Sequence, residues 1–181
     1  MNLNFLSSTS YLSSKCKAQR SAIGGLGVFS LKEIEKDEII AIWGGKIYKH
    51  QDIEQLSALN PNLLIHPLTI AEGFYMGPID PSRPLEAADF FNHSCKPNAG
   101  VKGQIILVAR EKIKPNEEIC FDYETTETQG SVGMGFDCHC GHKSCRKRIE
   151  GIKWNKADFH QQNREYMSWY LQKKFDTSSC D

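Results

Sequence analysis

Apolar positions along this chain fall mostly in short runs that alternate with polar residues and are punctuated by glycine, proline and asparagine, a pattern that predicts strands. Residues 17–21 read as a strand leading into Gly24-Gly25-Leu26-Gly27, residues 28–30 follow it, and 38–43 form another strand ending at Gly44-Gly45. Residues 63–76 supply two short strands, and 77–84 form a proline-rich loop. The strongest strand signal is 104–110 (QIILVAR), which Lys114-Pro115-Asn116-Glu117 turns into a strand over 118–123. Helical spacing occurs twice. Ile53, Leu56 and Leu59 give it to residues 49–59, which stop at Asn60-Pro61. Phe159, Tyr166, Met167, Tyr170, Leu171 and Phe175 predict one amphipathic helix over 154–175. That helix packs back on the domain or forms a dimer contact, and Trp154, Trp169 and Tyr170 would serve either. The serine-rich residues 1–14 read as a loose terminus, and 125–135 as a Thr/Gly-rich linker. The sum is a mainly β chain of short strands in small sheets with a C-terminal helix.

The length of 181 residues corresponds to one domain. Apolar residues make up 40% and charged residues 24%, an ordinary globular composition. Lys plus Arg and Asp plus Glu are both 22, so the net charge is zero, which argues against whole-surface attraction to nucleic acid or anionic membrane. No apolar run approaches the ~20 residues of a membrane span. Residues 1–14 lack a basic region and a long apolar core, so no secretory signal is expected. The default location is the cytoplasm, although an effector exported to a host nucleus without a cleaved signal would look the same.

Seven cysteines is an odd count, and Cys138, Cys140 and Cys145 crowd together while Cys16, Cys95, Cys120 and Cys180 are scattered. Without a secretory signal, this crowding points to metal ligation rather than disulfides. Structural zinc takes four ligands in a tetrahedron, and this segment offers three thiols, with Gly141 allowing a tight turn. The fourth ligand is His139, His142 or a remote cysteine; the histidines sit inside the loop where reach is poor. The alternative is a reduced, metal-free surface loop.

Three further segments are individually weak. In Asn92-His93-Ser94-Cys95-Lys96-Pro97-Asn98, a polar histidine in a loop is most often structural. In Glu118-Ile119-Cys120-Phe121-Asp122-Tyr123, a terminal tyrosine is most often packing with a satisfied hydroxyl. Gly25-Leu26-Gly27 is no dinucleotide fingerprint, because the third glycine and the following helix are missing, yet it lets backbone approach a ligand closely.

In order, GLGVF, NHSCKPN, EEICFDY and CxCGxxxC resemble the SET-domain family of protein-lysine methyltransferases, over roughly residues 16–151. The cysteine cluster is similar to that family's post-SET zinc segment, and the short layout is most like stand-alone bacterial SET proteins. The resemblance implies a SET-domain fold with a pseudoknot over 15–124, a variable insert at 49–85, a post-SET zinc segment at 125–151 and a helical tail at 152–181. The implied reaction is transfer of methyl groups from S-adenosylmethionine, leaving S-adenosylhomocysteine, to a lysine side chain on a protein. The implied cofactor contacts are Gly25, Leu26, Gly27, Asn92 (through backbone and amide), His93, Tyr123 and, as a lid, Phe136. Tyr123 matches the catalytic tyrosine, and Cys95 is implied as the fourth zinc ligand beside Cys138, Cys140 and Cys145. The Phe/Tyr choice at Phe121 bears on methyl number in this family, and Phe implies di- or trimethylation; the plain alternative is core packing.

Two departures bear on the substrate channel. Ile42 stands where many eukaryotic members carry a channel tyrosine, and Asp89 where an arginine often precedes the motif. Trp43, or Tyr48, is the candidate to complete that wall. The substrate is then a histone, a histone-like protein, a ribosomal protein or the enzyme itself, with no direct nucleic-acid contact and no membrane, and the protein is a monomer or homodimer. Two other readings compete: a non-catalytic binding module on the same fold, and a zinc-dependent nucleic-acid binder suggested by Lys143, Arg146, Lys147, Arg148, Lys153 and Lys156. The same basic stretch would dock an acidic protein substrate.

Overall fold

The structure is a computed structural model, and it describes residues 9–59, 67–82, 84–152 and 157–178. The chain runs through strands β1 (Tyr11–Leu12), β2 (Cys16–Arg20), β3 (Leu26–Ser30), β4 (Ile39–Ile42) and β5 (Lys46–Lys49). Helix α1 (His50–Leu59) leads to β6 (Leu68–Ala71) and β7 (Phe74–Gly77). Strands β8 (Asn92–His93), β9 (Ala99–Lys102), β10 (Ile106–Ala109) and β11 (Glu118–Phe121) follow, then a 3-10 turn at Tyr123–Thr125. The hairpin β12 (Phe136–Asp137) and β13 (Arg148–Ile149) precedes helices α2 (Ala157–Asn163) and α3 (Trp169–Ser178).

Two four-stranded sheets, in the orders β1-β4-β10-β9 and β2-β3-β11-β8, enclose the main core, and β5-β7-β6 form a third sheet packed on α1. The strongest predicted strand is β10, and its Leu107, Val108 and Ala109 are all buried, so it is covered on both faces rather than alternating. A register shift between Leu107 and Val108 against β4 bends this strand. Ile34, Ile40, Leu107, Ile113 and Ile119 are the largest fully buried core side chains around it. Burial of such side chains stabilises by roughly 1.5–3 kcal/mol each.

The tail departs from the single helix that its periodicity predicts. It is α2, a 3-10 turn at Arg164–Tyr166, a break at Met167 with extended φ −111° and ψ 145°, and then α3. The helix ends because its next N–H groups find partners elsewhere: Ser168 donates to Thr125 O at 2.9 Å and Trp169 to Gly103 O at 2.7 Å. Met167, Leu171 and Phe175 then bury with Ile152, so the tail packs back on the body. The opening segment also differs from a loose terminus over its described part. Tyr11 and Leu12 pair with Ile42 and Ala41, and the Thr9 and Ser10 amides donate to the Glu86 carboxylate. The turn expected at Asn60-Pro61, Trp154, Lys153, Lys156 and Cys180 lie outside the described residues.

Candidate active site and metal cluster

The NHSC and FDY segments meet through the one parallel pairing in their sheet, Cys120 opposite Asn92 and Phe121 opposite His93. Asn98 stitches the contact: its Nδ2 donates to Glu118 O at 2.8 Å, and its Oδ1 accepts from Cys120 N at 2.9 Å. The backbone then carries His93 under the FDY turn, where the Tyr123 N–H donates to His93 Nδ1 at 3.2 Å. An accepting Nδ1 puts the ring proton on Nε2, which lies 3.4 Å from Cys95 Sγ. Burial lowers the His93 pKa to about 4, against the opposing pull of Asp122, so the ring is neutral.

Tyr123 donates its hydroxyl proton to Phe91 O at 2.7 Å. Burial, followed by the nearby Cys120, Glu127 and Glu118, holds its phenol well above the ordinary tyrosine range. Its ring centroid is 4.9 Å from Phe121, 5.3 Å from His93 and 5.8 Å from Phe136. Trp43 stands 5.5 Å from Phe121 and fixes its own indole by donating to Ala88 O at 2.9 Å. Tyr123, Phe121, Trp43 and Phe91 are together in the wall of a cavity of about 640 Å³, within the size range of a ligand site. Asp89 and Glu127 also line it. Tyr48 does not: it is buried with Ile53, Tyr75 and Val132, its hydroxyl on Pro78 O, so of these two residues only Trp43 lines the cavity.

In the same sheet, Gly25 leads into β3 and Leu26 and Gly27 begin it, between β2 and β11, with Leu26 exposed. Gly27 is required by close approach: a Cβ there would lie 2.2 Å from Glu118 Oε1 and 2.9 Å from Asn92 Nδ2. Asn92 Nδ2 donates to Leu26 O at 3.0 Å and to Glu118 Oε1 at 2.7 Å, and Ser21 Oγ also binds Glu118. Both amide protons of Asn92 are therefore committed within the protein, which leaves its carbonyl oxygen and backbone to meet a ligand. Phe136 edges onto His93 and Tyr123 with ring centroids at 5.9 and 5.8 Å.

Cys95, Cys138, Cys140 and Cys145 bring their four sulfurs within 4.8 Å of one another, with Cys95 and Cys138 at 3.8 Å. A tetrahedral zinc with bonds of about 2.3 Å places its sulfurs roughly 3.8 Å apart, so the set fits that ion. Gly141 takes the left-handed turn (φ +71°) that wraps the loop. His139 is exposed and His142 Nδ1 is 2.7 Å from Ser144 Oγ, so neither histidine competes with Cys95 for the fourth place. Burial raises the Cys95 and Cys138 thiols, whereas at Cys140 it is outweighed by backbone donors and neighbouring thiols, bringing that group to about 6.

Three participants escape the sequence reading. Arg146, which follows the last cysteine, donates from its Nη atoms to both oxygens of buried Asp122 at 2.6 and 2.7 Å. Its Nε lies 3.3 Å from Glu124 Oε2. Arg148 pairs with Asp137 at 3.0 Å on the surface, so of these two arginines only Arg146 is committed to a buried partner. The adjacency of a cysteine and an arginine was the available signal. Glu127, inside the supposed linker, is buried, and nothing in its spacing marked it.

The SET domain family model matches residues 25–124. The chain belongs to the SET domain family. This SET domain is 29% identical over 143 residues to the Drosophila melanogaster histone-lysine N-methyltransferase trr, covering 71% of this chain and 5% of that protein. It is 30% identical to the Drosophila virilis histone-lysine N-methyltransferase trithorax, covering 72% of this chain and 3% of that one. A Candida albicans histone-lysine N-methyltransferase specific for H3 lysine-36 is 26% identical, covering 76% and 17%. The chain thus spans less than a fifth of these relatives' lengths. Among solved structures, KRYPTONITE in complex with mCHG DNA and SAH superposes with a TM-score of 0.56 at 23% identity, covering 76% of this chain and 29% of that one. Chaetomium thermophilum Polycomb Repressive Complex 2 superposes at 0.50 and 21%, covering 60% and 15%. These likenesses are of fold.

Proposed function

We propose that this SET domain is a protein-lysine N-methyltransferase that uses S-adenosylmethionine and retains a structural zinc ion. The observation that carries the reading is the placing of Tyr123 between the aromatic cavity wall of Phe121 and Trp43 and the His93–Phe136 side. That arrangement supports two ligands meeting at one hydroxyl-bearing ring. The backbone of Gly25, Leu26 and Gly27, the carbonyl and backbone of Asn92, the His93 backbone and the Phe136 ring are the groups to hold the cofactor. When bound, S-adenosylmethionine supplies an electrophilic sulfonium methyl.

A free lysine amine has a pKa near 10.4 and is a poor nucleophile while protonated. The apolar wall of Trp43, Phe91 and Phe121 disfavours the ammonium and lowers that value by desolvation. The phenol of Tyr123 is held neutral by burial, so at neutral pH it orients and polarises rather than accepts a proton. Positioning in a walled cavity supplies the rest. Phe121 adds no hydroxyl to this wall, which supports more than one round of transfer; Phe121→Tyr is expected to restrict the product to monomethyl-lysine.

The deciding test is mass spectrometry after incubation with S-adenosylmethionine, zinc and a panel of core histones, histone-like proteins, ribosomal proteins and the enzyme alone. Increments of 14 Da on lysine that disappear in Tyr123→Phe support the assignment. Absence of increments together with absence of S-adenosylhomocysteine binding by calorimetry refutes it.

A further inference from the structure

We infer that Glu127 accepts the proton that the substrate lysine must lose, and that the hydroxyls of Thr69, Ser131 and Thr128 conduct it outward. This inference rests on the lysine-methylation reading. Glu127 is buried, lines the same cavity as Tyr123, Phe121 and Trp43, and is tied to the catalytic turn because its own N–H donates to Tyr123 O at 2.9 Å. Its Oε1 accepts from Thr69 N at 3.0 Å, and its Oε2 accepts from Thr69 Oγ1. Thr69 Oγ1 is in turn 3.4 Å from Ser131 Oγ, and Ser131 Oγ is 3.2 Å from Thr128 Oγ1. Glu127, Thr69 and Ser131 are buried, while Thr128 is half-buried. The result is one file of oxygen atoms leading from a carboxyl in the cavity wall to the surface.

The step balances simply. One N–H bond of the ammonium breaks, its pair stays on nitrogen as the nucleophilic lone pair, and the proton forms an O–H bond on the Glu127 carboxylate. Along the file each hydroxyl accepts one proton as it releases its own, and bulk water takes the last.

The groups facing Glu127 suit this task. Tyr123 faces it from the 3-10 turn, Tyr75 from β7 and Tyr170 from α3, and burial raises all three phenols, so none competes for the proton at neutral pH. Across the cavity stand Asp80, Glu86 and Asp89, and no Lys or Arg lines it among the described residues. Burial also raises the Glu127 carboxyl, offsetting the donors that favour its charge, which makes it a stronger base than an exposed carboxylate.

The test compares kcat/KM of wild type and Glu127→Gln on core histones between about pH 6.5 and pH 10. Zinc content and S-adenosylhomocysteine affinity, neither of which passes through Glu127, should match wild type. The expected deficit is ~100-fold near pH 7, the usual scale of a general base, and it closes as rising pH deprotonates lysine in solution. Thr69→Val, which keeps shape but removes the first hydroxyl, should give a smaller deficit with the same pH trend, and serves if the glutamine variant does not fold. A deficit of constant size across pH, or none, overturns the inference. A wild type that methylates nothing in the full panel and binds no S-adenosylhomocysteine overturns the methylation reading itself, and this inference with it.

Discussion

Arg146 and Asp122, 24 positions apart, form a two-pronged ion pair at 2.6 and 2.7 Å directly beneath the turn that carries Tyr123. The same arginine donates its backbone N–H to Cys95 Sγ at 3.3 Å, and Asp122 Oδ1 accepts from Glu124 N at 3.1 Å to cap that turn. Metal cluster and tyrosine turn are thus joined through one residue, by its backbone on one side and its side chain on the other. Arg146→Met would leave Asp122 and Glu124 as buried carboxylates without this cation, a loss of about 3 kcal/mol. Lysine offers one point charge in place of a planar fork and should recover only part of it. Urea unfolding of the zinc-loaded proteins checks the order wild type, Lys, Met; equal midpoints would show that the pair is not structural.

Zinc removal should act at a distance for the same reason. The purified protein is expected to carry one zinc ion per chain. A chelator should make the thiols of Cys95, Cys138, Cys140 and Cys145 reactive towards an aromatic disulfide reagent, while Cys16 and Cys120 stay slow because burial raises both thiols. Proteolysis should then fall first within residues 125–151. Unchanged thiol reactivity on chelation would mean that the four sulfurs hold no metal.

Gly27→Ala tests the cofactor contact proposed at the start of β3. The new Cβ would meet Glu118 Oε1 at 2.2 Å and Asn92 Nδ2 at 2.9 Å, and Glu118 cannot swing away without losing Ser21 and Asn92. Overpacking of this kind costs about 1–3 kcal/mol of stability, and the shift of backbone that relieves it should weaken S-adenosylhomocysteine binding if this segment holds the cofactor. Adding Glu118→Ala removes the obstruction and should restore part of the binding. Calorimetry that finds the single variant binding like wild type would detach Gly27 from the cofactor site.

Much of this site was legible because its residues sit in compact motifs. NHSC and FDY each hold their chemistry within a few positions, and the fourth sulfur implied by resemblance, that of Cys95, does join the other three in space. What escaped has a common physical origin. Arg146 read as one of several exposed cations because charge runs usually are, and its partner lies on another strand end. The segment 125–135 read as a linker on its Thr and Gly content, yet Thr125, Thr126, Glu127, Ser131 and Val132 are buried, the two threonine hydroxyls on carbonyls three residues back and the Glu127 carboxylate on the remote Thr69. The break at Met167 was invisible for the same reason: apolar spacing runs straight through it, and the carbonyls of Thr125 and Gly103 that end the helix are set by the fold.

A buried acid kept for proton transfer should be a liability to the fold, and Glu127 offers a direct measurement of that. Burial raises its carboxyl above the ordinary value of 4.5, so in a pH window above that value the native state holds a proton that the unfolded chain has released. The native state binding more protons means that stability falls as pH rises through this window. Below it the neutral acid is well accommodated by Thr69; above it the charge must be carried in the interior. Glutamine has the same shape and no charge. The Glu127→Gln variant should therefore match wild type in urea midpoint near pH 4 and exceed it progressively as pH rises towards 8. Equal pH dependence in the two proteins would show instead that the donors from Thr69 hold the carboxylate as comfortably as water does.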